Sequence, residues 1–115
     1  MTEAEMNIIV QMIIAKIRMY QDDRMYDKAD EEENEKECDR WSNAYKEHMK
    51  QYDFIKSRFF DGIITGADIF NNYEELNTKL VDVCEELGYP LYHENEAVNE
   101  FFGDMIWDAK ATGEI

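Results

Sequence analysis

Hydrophobic side chains recur at every third or fourth position across the second quarter of the chain. The positions in this series are Cys38, Trp41, Tyr45, His48, Tyr52, Ile55 and Phe59. Steps of three and four keep side chains on one face of an α-helix, and most of these side chains are aliphatic or aromatic. The pattern predicts a long helix whose apolar face is covered by the rest of the chain. On that face, His48 is expected to bond to a neighbouring residue, not to a ligand.

An earlier stretch has the same periodicity. Thr2 followed by Glu5 is typical of a capping box, which predicts that a helix begins there. The apolar positions of this helix extend around two of its sides. They are Met6, Ile8, Ile9, Val10, Met12, Ile13, Ile14, Ala15, Ile17, Met19 and Tyr20. So wide an apolar surface predicts contact with more than one neighbour, either within a bundle or with a second copy in a homodimer.

The polar segment between the two stretches, residues 21–39, allows two interpretations. If the periodicity continues through it, residues 3–60 form one helix that pairs with another chain as a coiled coil. The favoured interpretation is a helical hairpin that turns within residues 21–30, with Asp30 and Glu33 capping the second helix. The segment contains no Gly or Pro, which argues against a turn.

Two shorter helices are predicted in the second half of the chain. Gly62 is expected to end the second helix, and residues 63–70 are expected to form a connector. Asn72 and Asn95 are suitable N-terminal caps for the two helices that follow. Their apolar faces comprise Tyr73, Leu76, Leu80, Val83, Cys84 and Leu87 in the third helix and Val98, Phe101, Phe102, Met105, Ile106 and Ala109 in the fourth.

These elements define an all-α fold class. The length of 115 residues suits a single helical domain with a buried core, covering residues 1–115. Two thiols without a spacing motif do not make a disulfide framework, so Cys38 and Cys84 are predicted to be reduced core residues. The predicted architecture is an N-terminal long helical hairpin, at about 3–28 and 31–60, with two shorter C-terminal helices, at about 73–87 and 96–110.

The sequence predicts neither export nor membrane contact. Glu3 and Glu5 stand where a secretory signal carries positive charge. The most apolar run, residues 8–14, is much shorter than the roughly twenty residues that span a bilayer. A cytoplasmic protein without a membrane segment is therefore expected.

The net charge of −15 narrows the range of partners. Direct binding to nucleic acid or to an anionic membrane is disfavoured because phosphate groups would be repelled, whereas basic proteins would be attracted. The charge is concentrated in residues 61–115, which contain 13 acidic residues against Lys79 and Lys110. Solubility alone also accounts for an acidic composition, and this plainer explanation stays open.

An acidic stripe is predicted on the fourth helix. It consists of Glu96, Glu100, Asp104 and Asp108, which follow one another in steps of four with no lysine between them. On a helix, this spacing places carboxylates about 6 Å apart on one side, similar to neighbouring phosphates of a nucleic-acid strand. The stripe is interpreted as a phosphate mimic, and the alternative is an ordinary solvated face. The predicted partner-binding residues are the acidic stripe together with Glu75, Asp82, Glu86 and Trp107.

Three function classes follow. The first is a small acidic binding protein that inhibits a basic nucleic-acid-binding protein as a DNA mimic, in the manner of phage and mobile-element inhibitors of host nucleases. Such a protein is not an enzyme and needs no catalytic residue, metal or cofactor. The second class is a helical adaptor or oligomerisation module without catalysis.

The third class is a magnesium-dependent enzyme. Glu31, Glu32 and Glu35 form an E-E-x-x-E spacing, which resembles that of the MazG-type all-α nucleotide pyrophosphohydrolases. The resemblance implies that these carboxylates hold magnesium during nucleotide hydrolysis, together with a second acidic pair on a facing helix. The second group stands in an order that departs from the family's pattern, at Asp82, Glu85 and Glu86.

Overall fold

A computed structural model describes residues 1–88 and 91–114, with the side chains of residues 91–95 outside that description. The helices are α1 (Glu3–Glu31), α2 (Glu35–Ile55), which continues into a π-helical turn (Lys56–Phe60), α3 (Gly66–Asn71), α4 (Tyr73–Leu87) and α5 (Leu91–Ala111). The described residues contain helices and turns and no strand, which confirms the all-α prediction. Among these helices, none combines the length and apolar character that crossing a bilayer requires.

Helix α1 lies at the centre of the fold. It packs along α2, and the π-helical turn, α4 and α5 also contact it. Ile9, Met12, Ile13 and Ile17 are 0% exposed, so the wide apolar surface of α1 is covered within the chain. The apolar width of α1 therefore gives no reason to expect a homodimer. By contrast, no residue of α2 is fully buried, because α2 covers α1 from outside.

The predicted hairpin is confirmed, but its turn lies later than residues 21–30. Helix α1 continues to Glu31, and α2 begins at Glu35. Asn34, and not Asp30, caps α2: its side-chain oxygen accepts a hydrogen bond from the backbone N–H of Glu37 at 3.2 Å. The single continuous helix is therefore wrong.

This turn forms without glycine because another residue adopts the left-handed conformation. Glu33 has a φ of +54°, a region in which most residues are strained. Two backbone hydrogen bonds close the turn, from the Glu33 N–H to the Asp30 carbonyl at 3.0 Å and from the Asn34 N–H to the Ala29 carbonyl at 2.9 Å. These bonds offset the backbone strain that a glycine would have avoided.

The π-helical turn at the end of α2 shifts the predicted apolar face by one residue. Its wider hydrogen bond joins the Asp61 N–H to the Lys56 carbonyl at 2.8 Å, five residues back. The prediction placed Phe59 on the apolar face, but Phe59 is 42% exposed while Phe60 is 6% exposed and in the core. An α-helical repeat misplaces the face here because a π-helical turn accommodates one additional residue.

The predicted connector at residues 63–70 contains a short helix, α3, that the sequence analysis missed. A capping box begins it: the Thr65 hydroxyl accepts from the Asp68 N–H at 3.1 Å, and Asp68 accepts from the Thr65 N–H at 3.0 Å. Helix α3 packs closely on α5. A Cβ atom at Gly66 would lie 2.6 Å from the Ala109 Cβ and the Met105 carbonyl oxygen.

The third predicted helix is confirmed as α4, which ends at Gly88 in the left-handed conformation. Asn72 occupies the N-cap position of α4, as predicted, but its side chain makes no cap bond to that helix. Instead, its amide donates to the Asp68 carbonyl at the end of α3, at 2.7 Å.

The fourth predicted helix is confirmed as α5, although it begins at Leu91, earlier than predicted. Asn95 therefore stands inside the helix and not at its start, and its side chain is outside the described part. Among the described side chains of α5, the buried ones are Ala97, Val98, Phe101, Phe102 and Ala109. All of these except Ala97 were on the predicted apolar face, of which Met105 and Ile106 are partly buried.

Candidate partner-binding surface and interhelical pocket

The acidic stripe is exposed along its full length on α5. Its position follows from the opposite side of the helix, where Ala97, Phe101 and Ala109 are buried. Trp107, one position before the last carboxylate of the stripe, is 72% exposed. The carboxylates and this indole ring are therefore all accessible from solvent.

A lysine from another helix reaches the acidic stripe. The Lys16 ammonium on α1 lies 3.3 Å from a Glu100 carboxylate oxygen, and the Lys16 side chain is mostly buried. No lysine stands between the carboxylates in the sequence, and the compensating charge comes from a distant part of the chain. Glu100 is therefore not only solvated, because it also forms an ion pair that links α5 to α1.

The middle of the acidic stripe faces the end of α2. Burial raises the pKa of the Tyr52 hydroxyl, and the nearby carboxylates of Asp53, Asp104 and Asp61 raise it further. Asp61 also pairs with the Lys56 ammonium at 2.9 Å. Asp104 of the acidic stripe and two carboxylates near the end of α2 thus act on the same hydroxyl.

Two of the three predicted acidic residues of α4 line a depression that includes no residue of the acidic stripe. Glu75, Asp82 and Glu86 are exposed. The depression, which includes the first two of them, is lined by Met6, Glu74, Glu75, Thr78, Lys79 and Asp82. Lys79 pairs with Glu3 near the start of α1 at 3.5 Å. The predicted partner-binding residues therefore surround two separate surfaces of the molecule.

A buried carboxylate links the two helices of the hairpin. Asp22 on α1 is 3% exposed, and its Oδ2 lies 2.5 Å from Nδ1 of His48 on α2. The expectation that His48 bonds to a neighbour is confirmed. Asp22 itself was missed, although a sequence signal existed: the steps from Ile8 through the apolar positions of α1 lead directly to it. That row is Ile8, Met12, Ala15, Met19 and Asp22.

Asp22 also lines a pocket between the two helices of the hairpin. The pocket has a volume of about 180 Å³ and is lined by Asp22, Asp23, Tyr26, Trp41, Ser42 and Tyr45. A neighbouring depression shares two of these residues and extends to the acidic stripe. It is lined by Lys16, Met19, Tyr20, Asp23, Tyr45 and Glu100. Carboxylates and aromatic rings around one cavity favour a cationic ligand.

The residues of the E-E-x-x-E spacing do not share one helix. Glu31 is the last residue of α1, Glu32 follows it, and Glu35 begins α2 beyond the turn. All three are exposed. Among the side chains of residues 1–88 and 96–114, no group of three or more His, Cys, Asp or Glu is arranged to hold a metal ion.

Cys38 and Cys84 are not joined in a disulfide, and their surroundings differ. Cys84 is buried in the core, as predicted, whereas Cys38 is only half-buried. Partial burial raises the pKa of the Cys38 thiol, and the nearby acids Asp30, Asp39 and Glu35 raise it further. The reactive thiolate is therefore disfavoured, which does not suit a catalytic nucleophile.

No protein-family model, curated protein or solved structure matches this chain. The surface chemistry of the chain itself is therefore the guide to its function. Two features stand out: the exposed acidic stripe of α5 with Trp107, and the aromatic pocket beside Asp22.

Proposed function

We propose that this protein is an acidic binding protein that inhibits a nucleic-acid-binding protein by occupying its basic surface. The observation that supports the proposal is the acidic stripe, whose four carboxylates are exposed in one row on α5 beside the exposed Trp107. Aromatic side chains are enriched at protein interfaces, and a row of carboxylates complements the lysines and arginines that contact phosphates.

The energetics of the acidic stripe favour a basic partner. Like charges at steps of four on a helix each cost a few tenths of a kcal/mol. Lys16 offsets part of this cost at Glu100, while Glu96 and Asp108 stay exposed at the two ends of the row. Cationic side chains of a partner would relieve the remaining repulsion. The net charge of −15 would also speed the encounter, with a strong dependence on salt.

A charge-matched pair of variants tests this proposal. The stripe variant carries Glu96→Gln, Asp104→Asn and Asp108→Asn, and it keeps Glu100 because of the Lys16 contact. The control variant removes the same number of charges from exposed hairpin residues, with Asp27→Asn, Glu32→Gln and Asp39→Asn. Both variants should fold like the unaltered protein, since none of the changed side chains is buried.

The measurement is affinity capture from a bacterial lysate at low and high salt, with mass spectrometry of the retained proteins. The unaltered protein and the control variant should retain a nucleic-acid-binding protein that salt or competing DNA displaces. The stripe variant should lose it. Equal retention by the stripe variant would sink the proposal.

An adaptor is the second candidate, and an exposed apolar patch favours it. Phe54 and Phe59 are exposed with ring centroids 6.2 Å apart, and Ile63 is exposed shortly after them. The Arg58 guanidinium lies 5.7 Å from the Phe54 ring. Small apolar patches of this kind occur at protein interfaces. If Phe54→Ser with Phe59→Ser abolishes capture while the stripe variant does not, the adaptor function takes precedence.

A further inference from the structure

The pocket between α1 and α2 combines a buried carboxylate with three aromatic rings. The buried Asp22 and the exposed Asp23 both line it. Tyr26 comes from the next turn of α1, and Trp41 and Tyr45 come from α2. Neither the acidic stripe nor the exposed apolar patch includes these residues. The pocket is therefore a separate chemical feature of the hairpin.

The walls of this pocket suit a flat cation. Aromatic faces attract cations, and Arg binds to them more often than Lys because its guanidinium can stack. The ring of Trp41 already contacts one guanidinium within the chain, since the guanidinium carbon of Arg40 lies 5.0 Å from the centre of the ring. A carboxylate such as Asp23 complements the N–H fork of a guanidinium.

The size of the pocket limits its occupant. A volume of about 180 Å³ is below the roughly 300 to 1,000 Å³ of sites that hold drug-sized ligands. It suits the end of one side chain. The adjoining depression shares Asp23 and Tyr45 with the pocket and reaches Glu100 of the acidic stripe. A partner lying along the stripe could therefore place a side chain in the pocket.

We propose that this pocket binds the guanidinium group of an arginine side chain on a protein partner. The proposal rests on the proposed function, since it takes the arginine from the same basic protein that contacts the acidic stripe. The guanidinium stacks between the aromatic walls, and Asp23 accepts its N–H groups. Asp22 lines the same pocket, and the contact of its Oδ2 with His48 Nδ1 holds its carboxylate in place there.

The test uses NMR titration of the unaltered protein with three blocked tripeptides, Gly-Arg-Gly, Gly-citrulline-Gly and Gly-Lys-Gly. Citrulline has nearly the same shape as arginine but no charge. The signal followed is the indole N–H of Trp41, which is identified because it persists in the spectrum of Trp107→Phe. The arginine peptide should shift this signal saturably, the lysine peptide should bind more weakly, and the citrulline peptide should leave it unchanged.

Two single variants with equal loss of charge locate the binding site. Asp23→Asn should weaken binding of the arginine peptide about tenfold, which is the loss expected for removing a charged hydrogen-bond acceptor. Asp27→Asn, one turn further along α1, should leave the affinity unchanged. Both residues are exposed, so neither change should unfold the protein.

Equal responses to arginine and citrulline, or equal affinities of the Asp23→Asn and Asp27→Asn variants, would overturn the arginine pocket. Lysine binding as tight as arginine would overturn the assignment to a guanidinium. The titration contains no partner, so its result is independent of the capture experiment with the stripe variant. If the pocket binds arginine but Asp23→Asn captures the partner undiminished, a partner arginine is not its occupant.

Discussion

At the scale of single residues, two glycines in helices have opposite surroundings. Gly66 begins α3 against α5, where a Cβ atom would lie 2.6 Å from the Ala109 Cβ. A Cβ atom at Gly103, inside α5, would meet nothing within 4 Å. The same substitution should therefore have opposite effects on stability at these two positions.

We predict that Gly66→Ala destabilises the protein by about 1 to 3 kcal/mol, because a close helix contact must open. Gly103→Ala should stabilise it by up to about 1 kcal/mol, because alanine is the better helix former. Urea unfolding of both variants measures the two free energies. Two changes of the same sign would contradict the close contact between α3 and α5.

Glu5 makes the start of α1 sensitive to pH. The pKa of its carboxyl is lowered below its ordinary 4.5, first by the hydrogen bond from the Thr2 backbone N–H and then by the Thr2 hydroxyl. A group whose pKa is lower in the folded protein stabilises it above the unfolded pKa. This contribution is lost as the pH falls through the folded pKa.

The matched variant is Glu5→Gln, since glutamine keeps the capping-box shape without the charge. The unaltered protein should be slightly more stable than Glu5→Gln at pH 7. The difference should shrink as the pH falls below about 4.5 and vanish in stronger acid. Denaturant unfolding across this pH range tests the prediction, and a difference that grew on acidification would contradict it.

At the scale of helices, the π-helical turn decides which aromatic ring enters the core. Phe60 is buried and Phe59 is exposed, the reverse of what continuous α-helical periodicity predicts. The additional residue of the turn rotates the chain just before Asp61. The end of α2 thereby brings Phe60 against the core residues of α1.

Alanine substitutions measure this register directly. Phe60→Ala should cost about 3 kcal/mol or more, the usual cost of emptying a buried phenylalanine site. Phe59→Ala should cost less than about 1 kcal/mol, because its ring loses mainly the edge contact with Phe54. Thermal unfolding of both variants is sufficient. A larger loss at Phe59 would show that α2 keeps α-helical register to its end.

At the scale of the whole molecule, the large negative net charge of the protein opposes folding. A net charge of −15 on 115 residues repels itself in the compact state. Ion pairs such as Lys16 with Glu100 and Lys79 with Glu3 bring distant parts of the chain together and offset part of this repulsion. The free energy gained by burying the apolar side chains of α1, α4 and α5 must exceed the repulsion that remains.

We therefore predict that salt stabilises the protein. Raising sodium chloride from about 0.01 M to 0.5 M screens surface charges and should add about 1 kcal/mol, or about 4 °C in Tm. The stripe variant, with three fewer negative charges, should gain less from the same change. Calorimetry measures both. A Tm that falls with added salt would mean that ion pairs outweigh the net repulsion.

The sequence by itself determined the features that depend on neighbours along the chain. The all-α class, the capping box at Thr2, the boundaries of α4 and its end at Gly88 were all predicted correctly. Helical periodicity and caps act within a turn or two, so a short stretch of residues contains the information. The capping box at Thr65 was equally local, and α3 could have been found from it.

Only the tertiary structure decided which surfaces meet. The hairpin turn places Glu33 in a left-handed conformation that local propensity does not favour, and the packing of α2 along α1 offsets that cost together with the hydrogen bonds of the turn. The burial of Asp22 depends on His48 of α2 arriving opposite it. The exposure of Phe59 depends on a π-helical turn that the core around Phe60 selects. Each of these features depends on interactions between residues that are distant in the sequence. The periodicity of a single helix contains no information about such interactions.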